Sequence, residues 1–300
     1  MDWMLASTPV DNPGAAVLTG PVALSPFAEV QPPLATLENG QWEEWGQDCI
    51  QRHTESGAEF RECSAGSPSA PLNVVALGDS HTENWLTAFA PAIESGAIRL
   101  TSWFRGACPL STAGSDKLGA DHPDTPDCEA VNLERIALAI DMNPNVVFTT
   151  GNIADAGSPE LRFTDGFIEA AEQLSRAGLP VVAMRDIPRH DERASICLEE
   201  NAMDGAACSV PVDEVLASLD FNTSLPEALW ENPMVTGMDL TALICFDGTC
   251  PPVIGGILTY IDDNHLTRAY IETMTPSFID EFKNALHAVG QPIPPALTTP

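Results

Sequence analysis

The sequence predicts an α/β fold, a three-layer α/β/α sandwich built around a central parallel sheet of about five strands. Short apolar runs of strand length recur along the chain and alternate with segments of helical period. Parallel strands need a long crossover connection, which is usually a helix, so this alternation favours a parallel sheet. The chain has 300 residues and is 44% hydrophobic, which is enough to bury a sizeable core.

Five apolar runs form the predicted strands. The first, at residues 73–77, is continuously apolar after its first residue, as expected for a strand buried on both faces. The other four runs lie at 98–102, 145–150, 180–184 and 234–240. In open α/β sheets, ligands bind beyond the carboxyl ends of the strands. Residues that directly follow these runs are therefore candidates for a functional site.

Four segments form the predicted helices. Residues 82–90 follow the first strand, and residues 128–141 carry apolar positions at a loose helical spacing. Residues 163–177 have a clear apolar stripe, and Gly178 follows as a carboxyl-terminal cap. The last helix is predicted over 276–288, with Pro276 at the first position, where its missing N–H is not needed.

The chain is expected to hold one domain with two flanking segments. Residues 1–45 are rich in proline, glycine and alanine, which predicts a linker or a strap over the domain with little regular structure. The predicted strands and helices fall within residues 46–290. Residues 291–300 contain four prolines and are expected to be a flexible tail.

The charge of the chain excludes several functions. There are 13 Lys and Arg residues against 43 Asp and Glu residues, which gives a formal net charge of −30. Binding to nucleic-acid phosphates or to anionic lipid head groups needs a basic surface, so neither is predicted. No run of 18 apolar residues occurs, so no membrane-spanning helix is predicted either.

Eight cysteines indicate an oxidising compartment. An even number of cysteines in a proline-rich, loop-rich chain favours disulfides, with eight free buried thiols as the alternative. No C-x-x-C pair occurs and no histidine lies at zinc-finger spacing, so no metal site is predicted. Local closure favours four sequential pairs, which are Cys49–Cys63, Cys108–Cys128, Cys197–Cys208 and Cys245–Cys250.

The first residues do not have the pattern of a secretory signal. Residues 1–14 lack a basic segment and a long apolar segment. Disulfides conflict with the lack of an export signal unless the sequence is a fragment. We therefore expect an upstream, membrane-embedded segment that holds this part of the protein outside the cytoplasm.

Two short motifs predict nucleophilic catalysis. The first strand ends in LGDSH (77–81), which places Ser80 at the start of a helix, where free N–H groups favour developing negative charge. Ser80 is a candidate nucleophile, although a serine at a helix start is more often an N-cap. Far along the chain, Asp262 lies three residues before His265, a spacing that lets the carboxylate orient the imidazole. A solvated acidic loop is the alternative for the second motif.

Together these motifs resemble those of the SGNH (GDSL-like) hydrolase superfamily. More narrowly, the chain resembles the SGNH domain fused to the carboxyl end of bacterial acyltransferase-3 membrane proteins. The similarity is collinear and spans about residues 70–290. Its segments are VVALGDSHTENWLTAF (74–89), FRGACPL (104–110), VVAMRDIPR (181–189), SICLEE (195–200) and CFDGTCPPVIGGILTYIDDNHLT (245–267).

The resemblance implies a catalytic triad. Ser80 would be the nucleophile, His265 the general base and Asp262 the residue that orients the base. Asp263 is adjacent to Asp262, but the family's aspartate lies three residues before the histidine. Asp79 is expected to stabilise the nucleophile turn.

The resemblance also implies an oxyanion hole. Its donors would be the backbone N–H groups of Ser80 and Gly106 and the side chain of Asn152. Asn152 departs from the family pattern because Ile153, and not an aspartate, follows it. A turn residue in a loop is the alternative for Asn152. Outside this set, His81 is expected to pack or hydrogen-bond near the site. Arg185 and Asp186 are expected to form an ion pair on a loop, with contact to the substrate as the alternative.

The function implied by the resemblance is O-acyl transfer on the outer side of the membrane. An acyl-serine would pass its acyl group, expected to be acetyl, to a hydroxyl group of a cell-envelope glycan or glycolipid. The acyl donor would be delivered by an N-terminal membrane acyltransferase-3 domain, and no cofactor or metal would be needed. The isolated domain is expected to be monomeric. The alternatives are a secreted carbohydrate esterase or deacetylase and a non-catalytic glycan-binding module.

Overall fold

The computed structural model describes residues 10–22, 24–25, 28–42, 49–112, 125–217 and 220–297, with only the backbone at 125 and 126. The strands are β1 (Cys49–His53), β2 (Glu59–Ala65), β3 (Leu72–Gly78), β4 (Ile98–Phe104), β5 (Val146–Thr150), β6 (Val181–Met184), β7 (Val210–Pro211), β8 (Val235–Met238), β9 (Thr249–Cys250), β10 (Val253–Ile254) and β11 (Ile257–Leu258). The helices are α1 (Ala16–Thr19), α2 (Ser80–Asn84), α3 (Ala90–Glu94), α4 (Thr125–Met142), α5 (Asp165–Arg176), α6 (Ala194–Glu200), α7 (Val212–Val215), α8 (Glu227–Trp230) and α9 (Arg268–Ala288), with 3-10 helices at Leu34–Thr36, Trp85–Phe89 and Thr241–Leu243.

A seven-stranded sheet lies at the centre, in the order β1-β2-β4-β3-β5-β6-β8. The strands from β4 to β8 in that order run parallel, as the sequence predicted. β1 and β2 extend the sheet in antiparallel fashion beyond β4. Sequence analysis missed these two strands because β1 is largely exposed and has no apolar run.

Two hydrophobic cores cover opposite faces of the sheet, and β3 contributes to both. Val74 and Ala76 belong to one core, which also contains Phe278 of α9. Val75 and Leu77 belong to the other core, which also contains residues of α4 and α5. Because successive strand residues point to opposite faces, a strand buried on both sides has no polar positions. This arrangement gives the predicted three layers.

The last helix is longer than predicted. Thr267 caps α9, since its side-chain oxygen accepts a hydrogen bond from the backbone N–H of Tyr270, and Pro276 lies inside the helix. The predicted boundary at Pro276 is therefore wrong. The buried stripe continues back to Tyr270 and Met274, and tertiary burial of this stripe outweighs the proline signal. Within the described ranges, no helix is long and apolar enough to cross a membrane.

The described residues between 10 and 42, here called the strap, run across the turn between β10 and β11. The N–H of Gly14 donates to the carbonyl of Gly255 at 3.0 Å, and the N–H of Gln31 donates to the carbonyl of Gly256 at 2.9 Å. A Cβ atom at Gly255 would lie 2.3 Å from the carbonyl oxygen of Gly14. This close backbone approach requires glycine at position 255, and it fixes the strap against the domain.

The ends of the chain fall partly outside the described residues, which exclude 1–9 and 298–300. At the carboxyl end, the N–H of Gln291 donates to the carbonyl of Leu286 at 2.8 Å. Leu297, within the segment expected to be a flexible tail, is buried in the core.

Candidate active site

The turn between β3 and α2 presents Ser80. Asp79 is the N-cap of α2, and its carboxylate accepts a hydrogen bond from the backbone N–H of His81 at 3.0 Å. Ser80 is therefore the first residue of the helix and not its cap. A Cβ atom at Gly78 would lie 2.2 Å from Oγ1 of Thr82, so the turn is that tight only with glycine. Thr82 in turn accepts a hydrogen bond from the N–H of Thr150, at the end of β5.

The structure brings Ser80, His265 and Asp262 into one chain of hydrogen bonds. Nε2 of His265 lies 2.9 Å from Oγ of Ser80, and Nδ1 of His265 lies 2.8 Å from Oδ2 of Asp262. The other carboxylate oxygen of Asp262 accepts from the backbone N–H groups of Asn264 and His265. Burial opposes ionisation of Asp262, but the hydrogen bonds and the charge of His265 lower its pKa to about 2. The carboxylate is ionised, and the imidazole is oriented to accept the proton of the serine.

Asn84, at the end of α2, holds the loop that carries His265. Its Oδ1 accepts from the N–H of Leu266 at 2.9 Å, and its Nδ2 donates to the carbonyl of Leu266 at 3.0 Å. Asn84 is buried. Sequence reasoning missed this residue, because it ends a run of polar residues after the nucleophile and no pattern distinguishes it from them.

Gly106 lies at the end of the strand next to the nucleophile. β3 and β4 are parallel with Gly78 opposite Phe104, so Ser80 and Gly106 each lie two residues beyond that register pair. The N–H of Arg105 donates to the carbonyl of Gly78 and joins the two segments. Within the described residues, the N–H of Gly106 has no acceptor in the protein. It is free to donate to a substrate.

Asn152 follows β5, on the other side of β3. Its Oδ1 accepts from the backbone N–H of Asp186 at 2.8 Å, so its side chain joins the ends of β5 and β6. Its Nδ2 makes no hydrogen bond with any residue that the structure describes. Because the amide oxygen is fixed, the amide nitrogen has a defined direction and remains available as a donor.

A second His–Asp pair lies next to the first. Nδ1 of His81 lies 2.6 Å from Oδ1 of Asp186, and the His81 ring is 4.8 Å from the His265 ring. Burial by itself lowers the pKa of His81, but the charge and hydrogen bond of Asp186, together with Asp79, raise it to about 9. His81 is therefore protonated at neutral pH. Sequence analysis expected His81 to pack or hydrogen-bond near the site and Asp186 to form an ion pair on a loop, but it did not pair the two residues with each other.

Arg135 of α4 lies fully buried beneath both loops that flank the nucleophile. Its guanidinium donates to the backbone carbonyls of Gly78, Trp103 and Cys108. Burial, opposed by the charge of Asp79, lowers the pKa of Arg135 to about 9, so the side chain is charged at neutral pH. Arg135 thereby joins the Ser80 turn to the Gly106 loop. Sequence analysis could not predict this role, since arginine within a helix is usually exposed.

The strap ends beside the proposed base. The ring of Trp42 packs edge-on against the ring of His265, with centroids 5.2 Å apart. Next to it, Oε1 of the buried Gln41 accepts from the N–H of Arg268 at 3.0 Å. The strap therefore supplies one wall of the site. Sequence analysis, which predicted for residues 1–45 a linker or a strap with little regular structure, did not assign any of them to the site.

The cysteines form the four sequential pairs expected from the sequence. One disulfide joins β1 to β2, and a second follows the Gly106 loop. The third joins the segment after β6 to the segment before β7, and the fourth precedes the loop of His265. The second disulfide therefore constrains the loop that directly follows Gly106.

Comparison with known proteins shows which proteins the chain is similar to. A family model described as "SGNH domain (fused to AT3 domains)" matches residues 48–280. The periplasmic domain of a lipopolysaccharide acetyltransferase from Salmonella ser. Paratyphi A is similar in structure, with a TM-score of 0.53 and 12% identity over 72% of this chain and 83% of that one. An esterase domain from a Rhodothermus marinus protein aligns over 53% of this chain and 81% of that one, at 10% identity and a TM-score of 0.25. Curated proteins gave no match.

Proposed function

Because the chain belongs to the family of SGNH domains fused to AT3 domains, we propose that it is an extracytoplasmic O-acyltransferase domain that acts through an acyl-serine. The observation that carries the proposal is the hydrogen-bonded chain from Ser80 through His265 to Asp262. A serine hydroxyl is a weak nucleophile, and a base that is itself oriented by a carboxylate is the usual way to activate it.

In the first half-reaction, Oγ of Ser80 attacks the carbonyl carbon of the acyl donor while Nε2 of His265 takes the hydroxyl proton. The ionised Asp262 stabilises the imidazolium that forms. The negative charge on the carbonyl oxygen is stabilised by the N–H groups of Ser80 and Gly106 and by the amide of Asn152. His265 then returns the proton to the leaving group, and the acyl-serine ester remains.

In the second half-reaction, a hydroxyl group of the acceptor takes the place of the leaving group. His265 removes the proton of the acceptor hydroxyl group, and the acceptor oxygen attacks the carbonyl carbon of the acyl-serine. Collapse of the tetrahedral intermediate then returns the proton to Ser80. Water in place of the acceptor gives hydrolysis. The same residues therefore support an esterase, and access of water decides between the two outcomes.

The substrates follow from the family and from the charge of the chain. The structural relative is the periplasmic domain of a lipopolysaccharide acetyltransferase, which supports an acetyl group and a cell-envelope glycan or glycolipid acceptor. The net charge of −30 would repel an anionic polymer, so a neutral acceptor is favoured. The fusion named in the family supports an AT3 membrane domain as the source of the acyl group and as the tether. We assign the activity to a monomeric domain over residues 46–290.

Trapping the acyl-enzyme tests this function. The protein is incubated with p-nitrophenyl acetate, quenched in acid and digested, and the acetylated peptide is located by mass spectrometry. An adduct on Ser80 that is absent from Ser80→Ala is the expected result. A label on another residue, or turnover that is unchanged in Ser80→Ala, would overturn the proposal. Measuring acetyl transfer to methyl hexosides against hydrolysis in the same reaction distinguishes a transferase from a secreted carbohydrate esterase.

A further inference from the structure

We propose that His81 is a substrate-binding residue for the alcohol part of the substrate. Held by Asp186, its Nε2–H donates a hydrogen bond to the alcohol oxygen that leaves the acyl group or accepts it. This inference rests on the proposed acyl transfer and names the group that would recognise the acceptor.

The two nitrogens of His81 have different surroundings. Nδ1 is bound to the carboxylate of Asp186 at 2.6 Å. Nε2 makes no hydrogen bond with any part of the chain that the structure describes, and it is not among the buried atoms that lack a partner. The His81 side chain is 15% exposed, whereas that of Asp186 is only 4% exposed. One side of the ring is thus fixed in the protein, and the free nitrogen is accessible.

The position of His81 indicates the alcohol side of the reaction. In both half-reactions the alcohol oxygen must lie against Nε2 of His265, which exchanges a proton with it. The His81 ring is 4.8 Å from the His265 ring. Of the proposed oxyanion donors, Gly106 follows β4 and Asn152 follows β5, whereas Asp186, which holds His81, follows β6. The contact between the His81 and His265 rings therefore places a donor at His81 near the alcohol oxygen that exchanges a proton with His265.

The charges around His81 make its free nitrogen a donor. Asp186 and Asp79 favour the protonated ring, and Arg189 opposes it. Among the residues that the structure describes, the ring of His265 also packs against His81. With a pKa of about 9, His81 carries a proton on both nitrogens at neutral pH. Above that pH the remaining proton stays on Nδ1, toward Asp186, and Nε2 becomes an acceptor that cannot serve this role.

Asp186 is the positioning residue of this arrangement. Its carboxylate binds His81, and it also accepts from the N–H of Ala154 at 2.7 Å. Its own N–H fixes the amide oxygen of Asn152. A single buried residue therefore positions both a proposed oxyanion donor and the proposed alcohol-binding group.

Two esters with different leaving groups test the proposal. p-Nitrophenolate leaves without a proton, whereas the sugar alkoxide of an O-acetylated methyl hexoside needs stabilisation as it leaves. We expect His81→Ala to lower kcat/KM for the hexoside ester about 10- to 100-fold more than kcat/KM for p-nitrophenyl acetate, the range of a lost charge-assisted hydrogen bond. His81→Gln, which keeps a neutral donor, should retain part of the selectivity. The matched control is His287→Ala on the exposed end of α9, which should behave as wild type.

The pH profile separates a binding role from a structural one. In the wild type, kcat/KM for the hexoside ester should fall above about pH 9, which forms the alkaline limb of the pH profile. Asp186→Asn should move this alkaline limb to lower pH. Equal losses with both esters, or an alkaline limb that Asp186→Asn leaves in place, would overturn the role of His81. Absence of any acyl-Ser80 in the wild type would overturn the acyl-transfer function itself. Circular dichroism of each variant verifies that it is folded.

Discussion

The side chain of Asn84 forms hydrogen bonds with both the N–H and the carbonyl of Leu266, the residue after the proposed base. Asn84 is on the helix that begins with Ser80, so it links the nucleophile helix directly to the loop of His265. Asn84 and Leu266 are 182 positions apart in the chain. The distance between Ser80 and His265 thus depends on a hydrogen-bonded pair outside the triad.

Replacement of Asn84 should therefore reduce activity through the position of His265. Asn84→Ala leaves the buried N–H and carbonyl of Leu266 without partners, which costs about 1–3 kcal/mol per buried group. We expect a fall in kcat of at least about tenfold and a lower urea midpoint. Asn284→Ala, at an exposed position of α9, is the matched control. Unchanged kcat in a destabilised Asn84→Ala variant would contradict the positioning role.

Acid should destabilise the protein partly through Asp262. The pKa of its carboxyl is about 2 in the folded protein, below its ordinary value of 3.8, so the ionised form stabilises the fold. This contribution is fully present above about pH 4 and is lost as the pH falls through 2. We expect a loss of about 2 kcal/mol across that interval, which follows from the size of the shift.

Urea unfolding at pH 5, 4, 3 and 2 measures this effect. Asp262→Asn should show a shallower fall in the free energy of unfolding than the wild type. Asp141→Asn, at the exposed end of α4, should follow the wild-type curve. Parallel curves for Asp262→Asn and the wild type would show that the ion pair does not contribute.

Alkali should destabilise the protein through His81, whose contribution to stability is lost as the pH rises, whereas that of Asp262 is lost as the pH falls. The pKa of His81 rises from 6.5 to about 9 on folding, so the protonated form stabilises the fold. The contribution is fully present below pH 6.5 and is lost as the pH rises through 9. We expect the wild type to lose about 3 kcal/mol over this range. His81→Gln should lack this loss in urea unfolding, whereas a curve that falls as steeply as the wild type would contradict the assignment.

The sequence identified the residues proposed to perform the chemistry better than those that position them. Ser80, Asp262 and His265 could be proposed because the chemistry demands certain residue types at short, recognisable spacings, and the structure brings the three together. Asn84 and Arg135 could not, since their partners lie far away in the sequence and their side chains bind backbone groups, which any sequence provides.

The fold shows the same division. β3 and β6 were predicted most clearly, because both of their faces are buried and their sequences are almost continuously apolar. β1 was not, because its residues are largely exposed and carry no periodic signal. β1 pairs with β2 in antiparallel fashion, with Cys49 opposite Cys63, and the disulfide between these two cysteines joins the strands. The start of α9 was also mispredicted, because a proline within a helix is tolerated when its neighbours are buried on both sides of it.

Arg135 should be required for stability as well as for activity. Arg135→Met removes donors from three backbone carbonyls, and each buried unpaired group costs about 1–3 kcal/mol. We expect a loss of more than about 3 kcal/mol in the free energy of unfolding, measured in urea. The control, Arg176→Met, removes an exposed ion pair on α5 and should change this energy by less than about 1 kcal/mol. Similar small effects in both variants would contradict the role of Arg135.

Trp42 should support catalysis from the strap. An edge-on aromatic pair contributes about 0.5–1.5 kcal/mol beyond the burial of its surface, so loss of the ring should release His265 and lower kcat up to about tenfold in Trp42→Ala. Trp42→Phe keeps an aromatic edge and should restore most of the activity. Trp230→Ala, on the exposed surface of α8, is the matched control and should leave kcat unchanged. If Trp42→Ala acted on stability alone, with kcat intact in the folded variant, the strap would be a structural support and not part of the site.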